Sequence, residues 1–346
     1  MITTSPTPRQ PEGPAAWQRE LAHAISDPAE LCALLQLDAR SALQALAPAA
    51  RFRLRVPRGF VRRMRRGDPR DPLLLQVLPG APELLESPGY SADPLGERAV
   101  RRAPGLLHKY RGRALLISTG ACAVHCRYCF RREYPYAEDA DGAAALTAIA
   151  ADSSIEEVIL SGGDPLSLTT ARLRRLTDGL RGIAHVRRLR LHTRTPVVLP
   201  ERVDAALGAW LASLPWPCVV VLHCNHANEI DASVRAAAAR LRAAGATLLN
   251  QSVLLAGVND SPEALRALSE ALWSAGVLPY YLHLLDPVRG TRHFEVSEPR
   301  ARWLVAQLAA RLPGYLVPRL ARESGGAPGK TLIAPAPWAA LADAPP

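Results

Sequence analysis

The stretch "RALLISTGACAVHCRYCFR", residues 113–131, decides how this 346-residue chain is read. Its first seven residues are apolar and β-branched enough for a buried strand. The loop after them holds Cys122, Cys126 and Cys129, half of the six cysteines present. A structural zinc site takes four ligands and a disulfide takes two. Three thiolates in one loop fit a cubane 4Fe-4S cluster with one iron free of protein ligands, the open position that catalysis uses. A zinc site completed by His125 is the competing reading, but no second Cys/His pair stands at finger spacing.

Outward from this loop the same rhythm repeats. Apolar runs at 113–119, 156–162, 186–193, 217–224, 246–255 and 277–285 alternate with Ala/Leu/Arg segments of helical period. The helices expected over 231–245 and 261–276 open on Asp231 and Ser261 as N-caps and close on Gly245 and Gly276. Six β-then-α units imply a parallel sheet with right-handed crossovers. The polar clusters "ACAVHC", "SGGDPL", "HTRTP", "HCNHANE", "NQS" and "HLLD" sit at or near the ends of these runs. One shared mouth of six loops favours a barrel over an open doubly wound sheet. The expected fold is α/β, a partial (βα)6 TIM-like barrel over residues 106–320. A mainly helical, basic extension (1–105) precedes it, and a segment carrying Lys330 (321–346) follows.

Composition narrows the class. With 48% hydrophobic residues a sizeable core is expected. The first sixteen residues are polar and Pro-rich, and no apolar run approaches the roughly 18 residues of a membrane span. A cytoplasmic protein with reduced cysteines and no membrane partner is the expectation. Cys32, Cys218 and Cys224 read as core thiols. The net charge is +10, and nine arginines crowd residues 51–70. A solvated or subunit-facing surface is the preferred reading of that run. Nucleic acid is not the expected partner, because no aromatics interleave with the arginines.

Two further features carry chemistry. In "SGGDPLS" (161–167), Gly162 and Gly163 let backbone approach a ligand and Asp164 can accept from an ammonium, although Gly-Gly-Asp-Pro alone also makes an ordinary turn. Among 42 Lys and Arg side chains only Lys109 and Lys330 are lysine, so those two amines are informative. Lys330 lies in the Gly-rich loop "GGAPGKT", where the residues alone favour a plain surface lysine and leave Schiff-base chemistry as the competing reading.

The cysteine spacing after the first barrel strand resembles the signature of radical S-adenosylmethionine enzymes. Together "CRYCFRR", "SGGDPL", "TRTPVVLPER", "HCNHANE", "NQSVLLAGVND", "PYYLHLLD" and "GGAPGKT" resemble lysine 2,3-aminomutases. "LRVPRGFVRRM" and "PGLLHKYRGRALL" look like the shorter branch that supplies β-lysine for modifying elongation factor P. The resemblance implies cluster ligation by Cys122, Cys126 and Cys129, with S-adenosylmethionine on the fourth iron and its amine held at Gly162, Gly163 and Asp164. It implies pyridoxal phosphate on Lys330, with Tyr110, Arg113 and Gln251 as contacts and Asn250 nearby. Arg131 would clamp the substrate α-carboxylate, and Asp286 and Glu323 would receive the ε-ammonium of lysine.

The implied reaction makes β-lysine, the R isomer being expected. The implied partners are a reductant protein of flavodoxin or ferredoxin type, elongation factor P and its lysyl ligase. β-Lysine for another metabolic use, or a non-catalytic Arg-rich iron–sulfur protein on nucleic acid, are the alternatives. Two departures stand out: the family has Asp where this chain has Glu323, and its longer members continue into a zinc-binding cysteine tail. Zinc-linked assembly is therefore not expected, while a homo-oligomer built otherwise stays open.

Overall fold

The computed structural model describes residues 13–139 and 142–338. The outermost parts of both expected terminal segments, 1–12 and 339–346, lie outside the described residues. Ten strands form one sheet in strictly sequential order. They are β1 (Arg101–Ala103), β2 (Leu106–Tyr110), β3 (Arg113–Thr119), β4 (Glu157–Gly162) and β5 (Arg188–Thr193). β6 (Cys218–His223), β7 (Thr247–Val253), β8 (Leu278–His283), β9 (Arg319–Arg322) and β10 (Thr331–Leu332) complete it. From β3 to β9 every neighbour is parallel. β1, β2 and β10 are antiparallel additions.

The six expected barrel strands are all present, each followed by a helix on the outside. Asp231 and Ser261 accept from Val234 N and Ala264 N as N-caps, and Gly245 and Gly276 take left-handed φ values of +90° and +71°. The boundaries expected at 105/106 and 320/321 fall inside the sheet, because β1 precedes the first and β9 spans the second. Main-chain pairing ignores those divisions.

Alternation along the strands sorts the side chains. Val158, Leu160, Leu189, Leu191, Val220, Leu222 and Leu248 face outward and pack under the helices with Leu173, Leu207, Trp210, Leu241 and Leu272. Their neighbours in sequence line the interior. Cys218 and Cys224 are buried in that outer layer. The sheet curls strongly. β2 and β9 are seven positions apart, about 34 Å in a flat sheet at about 4.8 Å per strand, yet Lys109 of β2 reaches Glu323, just past β9, at 3.1 Å.

Helices Ala16–Ala22, Pro28–Leu34 and Ala39–Arg51 open the N-terminal extension, but from residue 52 on it is mostly turns and irregular chain, so over the described residues it is less helical than expected. Its core of Trp17, Leu31, Leu54, Val56, Phe60 and Leu74 continues into Ala123 and Val124. The extension thus packs directly beneath the cysteine loop. No described helix is long and apolar enough to cross a membrane.

Candidate active site

The cysteine loop is fixed from three sides. His125 N donates to Arg55 O at 2.9 Å and Arg127 N to Gln76 O at 2.9 Å. The fully buried Arg127 guanidinium grips both oxygens of Glu83, at 2.8 and 2.5 Å, and donates to Phe52 O. From β4, Gly163 N donates to Thr119 O and Asp164 N to Ala121 O. A Cβ on Gly163 would stand 2.4 Å from Ala121 O, and Gly162 has φ +111°. The two glycines do permit a close backbone approach, but to the cysteine loop itself.

Asp164 differs from the sequence expectation. Its Oδ1 accepts from Leu166 N and the Thr193 hydroxyl, and its Oδ2 from Arg194 N and Thr195 N, at 2.7–2.9 Å. A carboxylate with four donors is committed to shaping the 193–195 turn and has little capacity left for a cofactor amine.

That turn aims Arg194 at the cysteines. Its Nη1 donates to Cys126 Sγ at 2.8 Å and to Tyr128 OH, and its Nη2 to Gln76 and Glu229. Asn225 Nδ2 donates to the Tyr128 hydroxyl, which also pairs with His223 Nε2. None of Arg194, Glu229, Gln76 or Asn225 was assigned a role from the sequence, although "HTRTP" and "HCNHANE" flagged two of the loops.

The residues suit an iron–sulfur cluster. All three thiols are free. Burial pushes the Cys129 thiol up to about 11, with Cys126 adding repulsion. Burial and then Asp164, Cys129 and Cys126 raise Cys122 well above its ordinary range. Such thiols ionise when a metal takes them. Among the described residues no His/Cys/Asp/Glu group converges as a single-ion site would, and a multi-iron cluster needs its thiolates spread over separate corners.

The other half of the site lies across the lumen. Glu323 is held by Lys330, by Lys109 at 3.1 Å and by the Tyr110 hydroxyl at 2.9 Å. Burial opposes its charge, yet Lys330 and Lys109 keep the carboxyl well below its usual range. The two lysines of the chain meet at one glutamate. The rarity that singled out Lys330 applied equally to Lys109 and could have found it.

Asp286, just past β8, takes no side-chain hydrogen bond or ion pair among the described residues. Burial, then Glu323, pushes it up to about 7. Lys330 sits 5.8 Å above the Tyr281 ring, and the Arg113 guanidinium lies 4.6 Å over Tyr110. His192, His223 and His283 face the same interior, each held neutral chiefly by burial, His283 down to about 3. The buried His192 Nε2 has no partner among the described residues. A reactive amine, cations, aromatic faces and an unpaired imidazole nitrogen suit pyridoxal phosphate.

Two expected contacts are placed differently. Gln251 faces the lumen, between His223 and Tyr281 in register. Asn250 therefore faces outward, donating to Cys224 O and Ser252 Oγ toward helix Pro262–Ser274. Period-two alternation keeps adjacent strand residues from serving one ligand. Arg131 reaches the lumen, but its fork is bidentate to Glu97 at 2.8 and 2.6 Å, with Nη1 on Ser161 and Gly162. A substrate carboxylate would meet only the second Nη2 hydrogen, unless it displaces the Ser161 or Gly162 contact of Nη1.

Comparison with known proteins settles the family. The chain is 49% identical over 335 residues to L-lysine 2,3-aminomutase of Escherichia coli K12, covering 95% of this chain and 96% of that one. It belongs to the lysine 2,3-aminomutase family. The Haemophilus influenzae enzyme of the same name is 47% identical, with 92% and 95% covered. The L-lysine 2,3-aminomutase of Clostridium subterminale is 36% identical over 78% of this chain and 65% of its own length. No family model matches. Among solved structures, a radical SAM methyltransferase from Sphaerobacter thermophilus is similar at TM-score 0.45 and 18% identity, over 63% of this chain and 68% of that one, too remote to bear weight. Membership in the lysine 2,3-aminomutase family matches the expectation drawn from the motifs.

Proposed function

We propose that this protein isomerises L-lysine to β-lysine, moving the amino group from C2 to C3 with a 4Fe-4S cluster, S-adenosylmethionine and pyridoxal phosphate. The observation that carries this reading is Asp286, an unpaired carboxylate in the lumen beside Glu323. A substrate with an ammonium at the far end of a four-carbon chain supplies the charge that Asp286 lacks. Glutamate, with an anionic end, would add a third carboxylate and be rejected.

When bound, the cofactors supply a hydrogen-abstracting carbon radical and a π-system that spreads the unpaired electron. Cys122, Cys126 and Cys129 hold the cluster, and Arg194 hydrogen-bonds Cys126. Lys330 offers the amine for pyridoxal phosphate, with Tyr110, Arg113 and Gln251 around it. Glu323, whose Oε2 accepts from Lys330, would offer that oxygen to the substrate ammonium where Lys330 holds pyridoxal phosphate. Arg131 takes the α-carboxylate through the Nη2 hydrogen that Glu97 leaves open. The neutral histidines add no competing positive charge.

The finer reading is that the product is (R)-β-lysine, passed to a ligase that attaches it to elongation factor P in the cytoplasm. The near-complete length match to the shorter relatives and the "LRVPRGFVRRM" motif support it. The functional division into extension, barrel and lysine-bearing segment belongs to the same proposal. The test is anaerobic. Protein reconstituted with iron, sulfide, pyridoxal phosphate and S-adenosylmethionine is reduced and given L-lysine, and the products are resolved chirally. (R)-β-Lysine is expected; none, at full cofactor occupancy, overturns the reading.

A further inference from the structure

The arginine-rich run is not absorbed by the chemistry above. Residues 51–66, "RFRLRVPRGFVRRMRR", contain eight arginines and no acid. Packing this many like charges in one segment costs folding stability unless something outside compensates.

Part of the run is neutralised within the fold. Arg58 pairs with Glu30, and the mostly buried Arg63 pairs with Asp231 and reaches Val197 O. Arg65 stands 3.9 Å from Asp68. Arg51, Arg53, Arg62 and Arg66 are exposed and have no acidic partner among the described residues, and of these Arg51 and Arg53 flank the stretch that touches the cysteine loop.

Their position is specific. The backbone at 52–55 lies against the cysteine loop. His125 bonds to the carbonyls of Arg53 and Arg55, and Arg127 donates to that of Phe52. The Phe52 and His125 rings stack at 5.3 Å, partly exposed, between this segment and the loop. The part of the uncompensated positive charge carried by Arg51 and Arg53 therefore stands beside the outer side of the cysteine loop.

We propose that the surface around Arg51, Arg53 and Arg55 docks an acidic one-electron carrier protein, which hands its electron to the cluster across the outside of the cysteine loop. The proposal rests on the radical chemistry above, which consumes one electron from outside. The carrier, with a reduced flavin or iron–sulfur centre, is oxidised by one electron as the cluster is reduced by one. Opposite charge steers the encounter and sets its rate more than its final affinity. Nucleic acid fits less well. The Phe52 ring beside Arg51 and Arg53 is already stacked with His125 and met by the Arg127 and Arg132 guanidinium groups at 4.8 and 4.7 Å, so it offers no free stacking face.

The experiment uses reconstituted holoenzyme and an R51E/R53E double variant. With photoreduced flavodoxin as donor, the variant needs at least tenfold more flavodoxin for half-maximal turnover and loses the wild-type sensitivity to salt. With excess dithionite the two proteins turn over at equal rates, showing that fold and cluster are intact. Calorimetric titration of flavodoxin into each protein at low salt reads docking without lysine turnover, so failure of the aminomutase reading leaves that result interpretable. Equal flavodoxin dependence and equal calorimetric affinity overturn the proposal. So does a variant that loses binding of a single-stranded oligonucleotide while keeping its response to flavodoxin.

Discussion

Replacing Asp286 by Asn isolates the electrostatic logic of the lumen. The carboxyl is pushed from 3.8 up to about 7, by burial first and by Glu323 second. A shift of about three units at 1.36 kcal/mol each comes to about 4 kcal/mol. Because the folded state binds this proton more tightly than the unfolded chain, stability is intact below about pH 4, erodes as pH rises to about 7, and is flat above. The side chain is only partly buried, so about 4 kcal/mol is a ceiling. Asp286→Asn removes the titration. In urea melts of cofactor-free protein followed by tryptophan fluorescence, the variant should gain on wild type from pH 5 to pH 7 and hold that gain at pH 8. The same variant, once loaded, should bind lysine about 30-fold or more weakly, from about 2 kcal/mol or more for a lost buried charge partner. A stability difference that is constant with pH, or that shrinks as pH rises, refutes the reasoning.

The remaining expectations concern the two ends of the lumen. Lys330→Ala should abolish β-lysine formation and the borohydride-fixed pyridoxal adduct while leaving the iron content unchanged. Gly163→Ala forces a Cβ to 2.4 Å from the Ala121 carbonyl, so iron and sulfide analysis should show several-fold lower cluster loading. Arg194→Gln leaves the fully buried Glu229 without its cation and should cost about 3–5 kcal/mol in urea melts. It also removes a hydrogen bond to Cys126 Sγ, so an EPR-monitored redox titration should find the cluster potential more negative.

What could be read in advance was local. Strand β4 is buried throughout and its neighbours carry long apolar runs, so the barrel stood out from hydrophobic pattern alone. The cysteine triad lies within eight residues and was equally plain. Strand β9, "RLAR", is four residues with arginine at both ends, too short for a period to register. The occupants of Arg131 and Asp164 were hidden for another reason. Glu97 is 34 residues from Arg131, and Arg194 is 30 from Asp164, distances that only the finished fold closes. A motif shows that a residue matters; it does not show which neighbour has claimed its hydrogen bonds. Asn250 beside Gln251 adds a smaller lesson, since adjacency in sequence means opposite faces on a strand.

The sequential strand order has a consequence for how the protein comes into being. Each new strand pairs with the one just made, so the sheet can grow as the ribosome delivers it, and domains generally fold as units during synthesis. Lys109 and Glu323 are 214 residues apart, and Lys330 comes later still. The cysteine loop can therefore be in place long before the amine and carboxylates that face it. A nascent chain that acquires its metal early stays chemically silent until Glu323 and Lys330 arrive across the lumen, which keeps radical chemistry out of half-made protein.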